Sequence, residues 1–154
     1  MSITNDSKIT ISAIIAAAYA ALTIALMPIT GEIRIAEALC VMPWFVPETA
    51  FGLFIGCLIS NIFTGNIFDI IFGSLATLFA GLCTAKVKNK YLACLMPVIF
   101  NALIVGAVLA FGYGVGNYLI TAATVAVSET IVMFLLGLPL LNILEKKEIF
   151  KDES

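Results

Sequence analysis

Ala38-Leu39-Cys40-Val41-Met42-Pro43-Trp44-Phe45-Val46-Pro47-Glu48-Thr49-Ala50 is the stretch on which the fold turns. It opens an apolar region, residues 38–63, that as one straight helix would run about 39 Å at 1.5 Å per residue. The hydrocarbon core of a bilayer is only roughly 30 Å thick. Each proline removes a backbone donor and clashes with the turn before it. Two prolines four residues apart, followed by a glutamate, therefore predict a corner between a short helix over about 37–46 and a fuller one over about 48–63. On either side lie four further apolar runs, residues 9–27, 67–85, 91–112 and 119–144, each close to the roughly 20 residues a spanning helix needs. The expectation is an all-α polytopic membrane protein. It has six transmembrane helices, at about 8–28, 37–46, 48–63, 67–86, 91–113 and 117–144, in a single integral membrane domain over residues 1–154.

Composition requires the same solvent. The 154 residues are 62% hydrophobic and 12% charged, with a mean hydropathy of +1.12, whereas soluble domains are roughly 45–50% apolar and about 25% charged. A chain of this length packed around a water-soluble core would leave large apolar patches facing water. The first apolar run is longer than a signal-peptide core and is followed by Pro28 and a polar stretch, not by a small-residue cleavage site, so it is read as a retained helix. The connections at residues 64–66, 87–90 and 113–117 are short, and no soluble domain or linker is expected.

Charge placement supports the count. Lys8 precedes the first helix, Lys86, Lys88 and Lys90 fall between the fourth and fifth, and Lys146, Lys147 and Lys151 follow the sixth. Six spans put every lysine on one side, the cytoplasmic one by the positive-inside rule, together with both termini. Five spans with an outer N-terminus misplace only Lys8, so the proline corner, more than charge, decides for six.

Several chemistries are excluded or unsupported. A net charge of −2 without a basic, aromatic-interleaved stretch gives nucleic acid no footing. Histidine is absent, and Cys40, Cys57, Cys83 and Cys94 lie inside apolar runs without C-x-x-C spacing, so they are read as buried small hydrophobes. No metal or cofactor is expected. There is no G-x-x-x-x-G-K-[ST] phosphate loop, so the chain cannot hydrolyse ATP alone, and no nucleophile or zinc motif of a hydrolase.

Charged residues at membrane depth cost about 2.5–3.5 kcal/mol each on insertion scales and normally face a cavity or a partner. Here they are Glu37, Glu48, Asp69 and Glu129, with Asn61 and Asn101 as uncharged companions and Arg34 near the outer surface. Asn101 lies about 15 Å above the inner end of its helix and Glu129 about 18 Å below the outer end of its own. All but Glu48 thus fall between the outer surface and the midplane, which suits a pocket open to the outside. Simpler roles stand beside this: an Arg34–Glu37 interface pair, Glu48 as a first-turn carboxylate at an inner boundary, and Asn61 bracing a helix end. Trp44, Phe45, Phe68, Phe72, Tyr113 and Tyr118 are anchors, packing, or platforms for a flat ring. Ala13, Ala17, Ala21 and Ala25 recur every four residues, a spacing that lets another helix approach closely, within this protein or from a partner subunit.

The stretches Gly31-Glu32-Ile33-Arg34-Ile35-Ala36-Glu37-Ala38-Leu39, Gly52-Leu53-Phe54-Ile55-Gly56-Cys57, Asp69-Ile70-Ile71-Phe72-Gly73-Ser74-Leu75-Ala76-Thr77-Leu78, Asn101-Ala102-Leu103-Ile104-Val105-Gly106 and Leu136-Gly137-Leu138-Pro139-Leu140 keep their order along nearly the whole chain. In this the sequence resembles the QueT family, the substrate-binding (S) components of energy-coupling-factor (ECF) vitamin importers. The resemblance implies six helices with both ends cytoplasmic, a pocket near the outer face, and an alanine-rich face of helix 1 (here Ala13, Ala17, Ala21, Ala25) docking on an EcfT-like membrane coupling protein. It also implies two cytoplasmic ATPases, residence in a bacterial plasma membrane, and transport by toppling of the whole subunit. The associated ligands are queuosine precursors of the 7-deazaguanine class, or queuine. Arg34, Glu37, Asn61, Asp69, Asn101 and Glu129 are the substrate-binding candidates. Asp69 and Glu129 suit the paired donors of a guanine-like edge, because charge-assisted bonds are about twice as strong as neutral ones. An S component for thiamin or folate is the alternative, and a membrane-bound enzyme acting on a lipid is the reading from another class.

Overall fold

A computed structural model describes residues 4–30, 33–64, 67–147 and 149–150, with the side chains of residues 27, 30 and 64 excepted. Gly31, Glu32, Lys151 and residues 65–66, all part of the reading above, lie outside them. The described residues are all-helical: α1 (Asn5–Thr30), a 3-10 helix (Ile35–Trp44), α2 (Thr49–Thr64), α3 (residues 67–84), α4 (Lys90–Gly112) and α5 (Tyr118–Lys146). The six helices predicted from the apolar runs and the proline corner are therefore found. Three of them, α1, α4 and α5, are long and apolar enough to cross a bilayer by themselves, while Ile35–Trp44, Thr49–Phe63 and Asp69–Thr84 are shorter.

The corner falls at residues 45–48. The segment before it differs from the expected α-helix in both conformation and register, beginning at Ile35 and ending at Trp44. A 3-10 helix rises about 2.0 Å per residue against 1.5 Å for an α-helix. Its ten residues therefore reach roughly 20 Å, where α geometry would reach about 15 Å. The strand of backbone so stretched is tolerated at membrane depth because it is shielded from lipid by protein. It touches all five other helices, and Ala36, Glu37, Ala38, Cys40, Val41, Met42 and Pro43 are buried. This segment is the axis of the bundle.

Around it α1 packs chiefly on α2, α2 on α3, α3 on α4 and α4 on α5. The α1–α2 crossing is very close. A Cβ on Gly52 would stand 2.2 Å from the Ser12 carbonyl oxygen, and one on Gly56 2.6 Å from that of Ala16. This is a small-xxx-small contact, but it uses the Ser12–Ala16–Tyr19 side of α1, with Ile15, Tyr19 and Thr23 buried one turn apart. Ala13, Ala17, Ala21 and Ala25, two positions on and so about 200° around the helix, are all exposed. Among the described residues, the alanine row faces outward.

Each of α3, α4 and α5 contains one π-helical turn, Asp69–Gly73, Val108–Gly112 and Met133–Gly137, and each turn ends in glycine. Glycine lets a neighbour sit against the widened turn: Cβ atoms there would lie 3.3 Å from Asn61 Nδ2, 3.2 Å from the Phe68 ring and 3.1 Å from the Met133 methyl, respectively. In α5 the wide turn precedes Pro139, whose missing N–H and ring clash it accommodates.

Apolar side chains ring the outside, with Phe63, Phe111, Leu119 and Leu135 between 68% and 79% exposed, as lipid contact requires. At one end Lys8 pairs with Glu48 at 3.3 Å and Lys90 with Glu145 at 3.6 Å, and Phe150 of the C-terminal segment packs on Phe45. Glu48 thus sits at the lysine-bearing end, away from Glu37, Asp69 and Glu129.

Candidate ligand cavity

At the opposite end the bundle opens into a cavity of about 480 Å³, within the roughly 300–1,000 Å³ usual for small-molecule sites. Its floor and walls bring together Arg34, Glu37, Asp69, Asn101 and Glu129, and the 113–117 connection forms part of its rim. Five of the six residues singled out in the sequence as ligand candidates meet there. They come from the start of the 3-10 helix, the π turn of α3, and the facing sides of α4 and α5.

Asn61 is not among the lining residues. It stands behind the wall on α2 and donates from Nδ2 to the Asp69 carbonyl oxygen at 2.8 Å, bracing the π turn that presents Asp69. Its Oδ1 is buried without a partner among the described residues.

The acids are held differently. Glu37 is 2% exposed, and both its oxygens are occupied: the Tyr19 hydroxyl donates to Oε1 and Cys40 Sγ donates to Oε2 at 3.0 Å. Arg34 donates from Nη1 to Cys57 Sγ at 3.8 Å. The interface pair of Arg34 with Glu37 is not formed among the described residues. Asp69 accepts from the Tyr113 hydroxyl, which ties the C-terminal end of α4 to the start of α3 across the cavity mouth. Glu129 is 9% exposed and accepts from Asn101 Nδ2 at 3.0 Å through Oε1, while its Oε2 is buried and has no partner among the described residues. The Asn101 amide turns its nitrogen toward it.

Among the aromatics, Tyr113 alone lines the cavity. Trp44 stacks edge-on with Phe45 at 4.9 Å near the far end, and Phe68 and Phe72 are 41% and 45% exposed on the outer surface. Tyr118 packs on Phe111 at 5.9 Å.

Residues that the sequence did not single out complete the site. Tyr19 holds Glu37, and Cys57 accepts from Arg34, Asn61 and Thr77. Thr121, Thr124 and Ser128 line one wall. The spacing of the last three, four then three then four counted from Asn117, is the helical period of one face. That pattern was present in the sequence but is common in helices, so only the cavity gives it meaning.

The chain matches the model of the QueT transporter family over residues 9–146, most of its length. It belongs to the QueT transporter family. No curated protein and no solved structure is similar enough to match. The QueT family is one of transporters and not of enzymes, and with its apolar helical bundle this QueT chain is a multi-pass membrane protein for small-molecule transport.

Proposed function

We propose that this chain is the substrate-binding S component of an ECF-type importer, capturing a 7-deazaguanine (a queuosine precursor or queuine) from outside a bacterial plasma membrane. Uptake is then driven by an EcfT-like coupling protein and two cytoplasmic ATPases. Both termini lie in the cytoplasm with the lysine-bearing end. The observation that carries the ligand assignment is Glu129: its side chain lines the cavity, and its Oε2 is buried with no donor among the described residues. Leaving such an atom bare costs about 1–3 kcal/mol, and a ligand N–H supplies what is missing. The Glu129 carboxylate beside Asn101 can accept from the ring N–H and exocyclic amine of a guanine-like edge, while Arg34 donates to its carbonyl. The exposed alanine row of α1 is the docking face for the coupling protein.

The test is calorimetric titration of the purified chain with 7-deazaguanines, thiamin and folate. Saturable binding of a deazaguanine, lost or weakened about 10-fold or more in Glu129→Gln, is the expected result. Binding of thiamin or folate with none of any deazaguanine overturns the substrate assignment.

A further inference from the structure

Arg34 is the cation of the cavity wall, and among the described residues its side chain makes one hydrogen bond, from Nη1 to Cys57 Sγ at 3.8 Å. The same sulfur is approached by Asn61 Nδ2 and by Thr77 Oγ1, each at 3.4 Å. The three donors come from the start of the 3-10 helix, from α2 and from α3. A cysteine kept only as a small hydrophobe has no need of three polar groups aimed at its sulfur. Cys57 is 0% exposed and is not among the lining residues, so it acts from behind the wall.

Asn61 and Thr77 carry the link onward to the π turn of α3. Asn61 Nδ2 also donates to the Asp69 carbonyl oxygen at 2.8 Å, and Thr77 Oγ1 lies 3.2 Å from that of Gly73. These carbonyls belong to the first and last residues of the turn, and Asp69 and Gly73 both line the cavity. One sulfur is therefore a single side chain away from the guanidinium and from both ends of the turn that presents a carboxylate. The N–H groups of a guanidinium form a rigid planar fork, so fixing one nitrogen fixes the direction of the others.

We infer that Cys57 is a positioning residue for ligand capture: its sulfur sets which edge of the Arg34 guanidinium faces the cavity, and Asn61 ties that edge to the turn carrying Asp69. The inference rests on the capture-site reading above and adds to it the group that aims the cation. Groups that bind a polar guest keep their geometry only when their own neighbours lock them. Alanine at position 57 removes the acceptor and leaves the guanidinium to swing toward Glu37 or Asp69 on the same cavity. Serine keeps an acceptor, on a shorter bond.

Two measurements on the purified full-length chain test it. The first is a double-mutant cycle read by calorimetry with 7-aminomethyl-7-deazaguanine. Cys57→Ala should weaken binding roughly 10-fold in the parent, and by less than about 2-fold once Arg34→Gln is present. Cys57→Ser should recover part of the loss. Equal losses in the two backgrounds, or none in the parent, overturn the inference, because a merely structural role for Cys57 does not depend on Arg34. The second measurement needs no ligand: the rate at which methyl methanethiosulfonate modifies Cys57, located by mass spectrometry, in the parent, Arg34→Ala and Arg34→Gln. Removing the guanidinium should open the sulfur to the cavity and speed its modification about 10-fold or more, while Cys40 and Cys94, also buried, stay protected. That protection shows the variant to be folded, and Arg34→Gln is read where Arg34→Ala loses it. Unchanged reactivity of Cys57 overturns the inference. Absence of deazaguanine binding by the parent overturns the substrate assignment, and the modification rates then decide the role of Cys57 by themselves.

Discussion

Glu129 and Glu37 are both buried acids on one cavity, yet their surroundings give them different work. Glu37 has a donor on each oxygen, from Tyr19 and Cys40, and is saturated before any ligand arrives. Removing one of these donors strips a buried charged acceptor of its partner, at about 1–3 kcal/mol or more. Tyr19→Phe should therefore lower the thermal midpoint of the detergent-solubilised chain by several degrees, read by differential scanning fluorimetry. Glu129→Gln should do the reverse for stability: it replaces a half-satisfied carboxylate by a neutral amide, so the midpoint should hold or rise while ligand affinity falls. The two side chains look alike in the sequence, each a lone acid in an apolar run. Cys40 is a local neighbour of Glu37, but Tyr19 and Asn101 come from other helices, 18 and 28 residues away, and no local pattern reports them.

At the scale of the element, the short 3-10 helix and the π turns show how irregular backbone is used in lipid. The proline corner was legible because proline acts locally, through its missing donor and its ring. The choice of 3-10 over α geometry was not, since it answers to the distance the segment must cover inside the bundle. The π turns likewise sit where glycine lets a neighbouring side chain approach. The glycines of α2 are the sharpest constraint. Gly56→Leu places a side chain where even a Cβ would meet the Ala16 carbonyl oxygen at 2.6 Å. It should destabilise the chain by about 1–3 kcal/mol or more, as overpacking does. Ala17→Leu, one position along α1 but on its exposed face, should leave stability within about 0.5 kcal/mol. Thermal unfolding of the two variants in the same detergent separates these outcomes.

The whole molecule is polarised. Its described lysines and ion pairs cluster at one end and its cavity opens at the other, with an exposed alanine row along one flank. If that row docks on a coupling protein, Ala17→Leu/Ala21→Leu should keep ligand binding by the lone chain and lose most uptake in cells that supply the coupling protein and ATPases. Uptake equal to that of the parent sinks the docking role. The orientation is checked by cysteine labelling: Val115→Cys on the cavity rim should react with an impermeant maleimide added outside intact cells, and Lys88→Cys should not.

Hydropathy, proline and lysine placement are properties of single residues and short runs, and they act through solvent and local backbone geometry alone. They are enough to specify six helices, the corner and the polarity of charge. Which polar groups already have partners and which stand bare depends on side chains converging from α1, the 3-10 helix, α3, α4 and α5. That convergence is made by helix packing, with Gly52 and Gly56 setting how near two backbones come. Satisfaction of a buried atom is a relation between distant residues, and it exists only once the chain has folded.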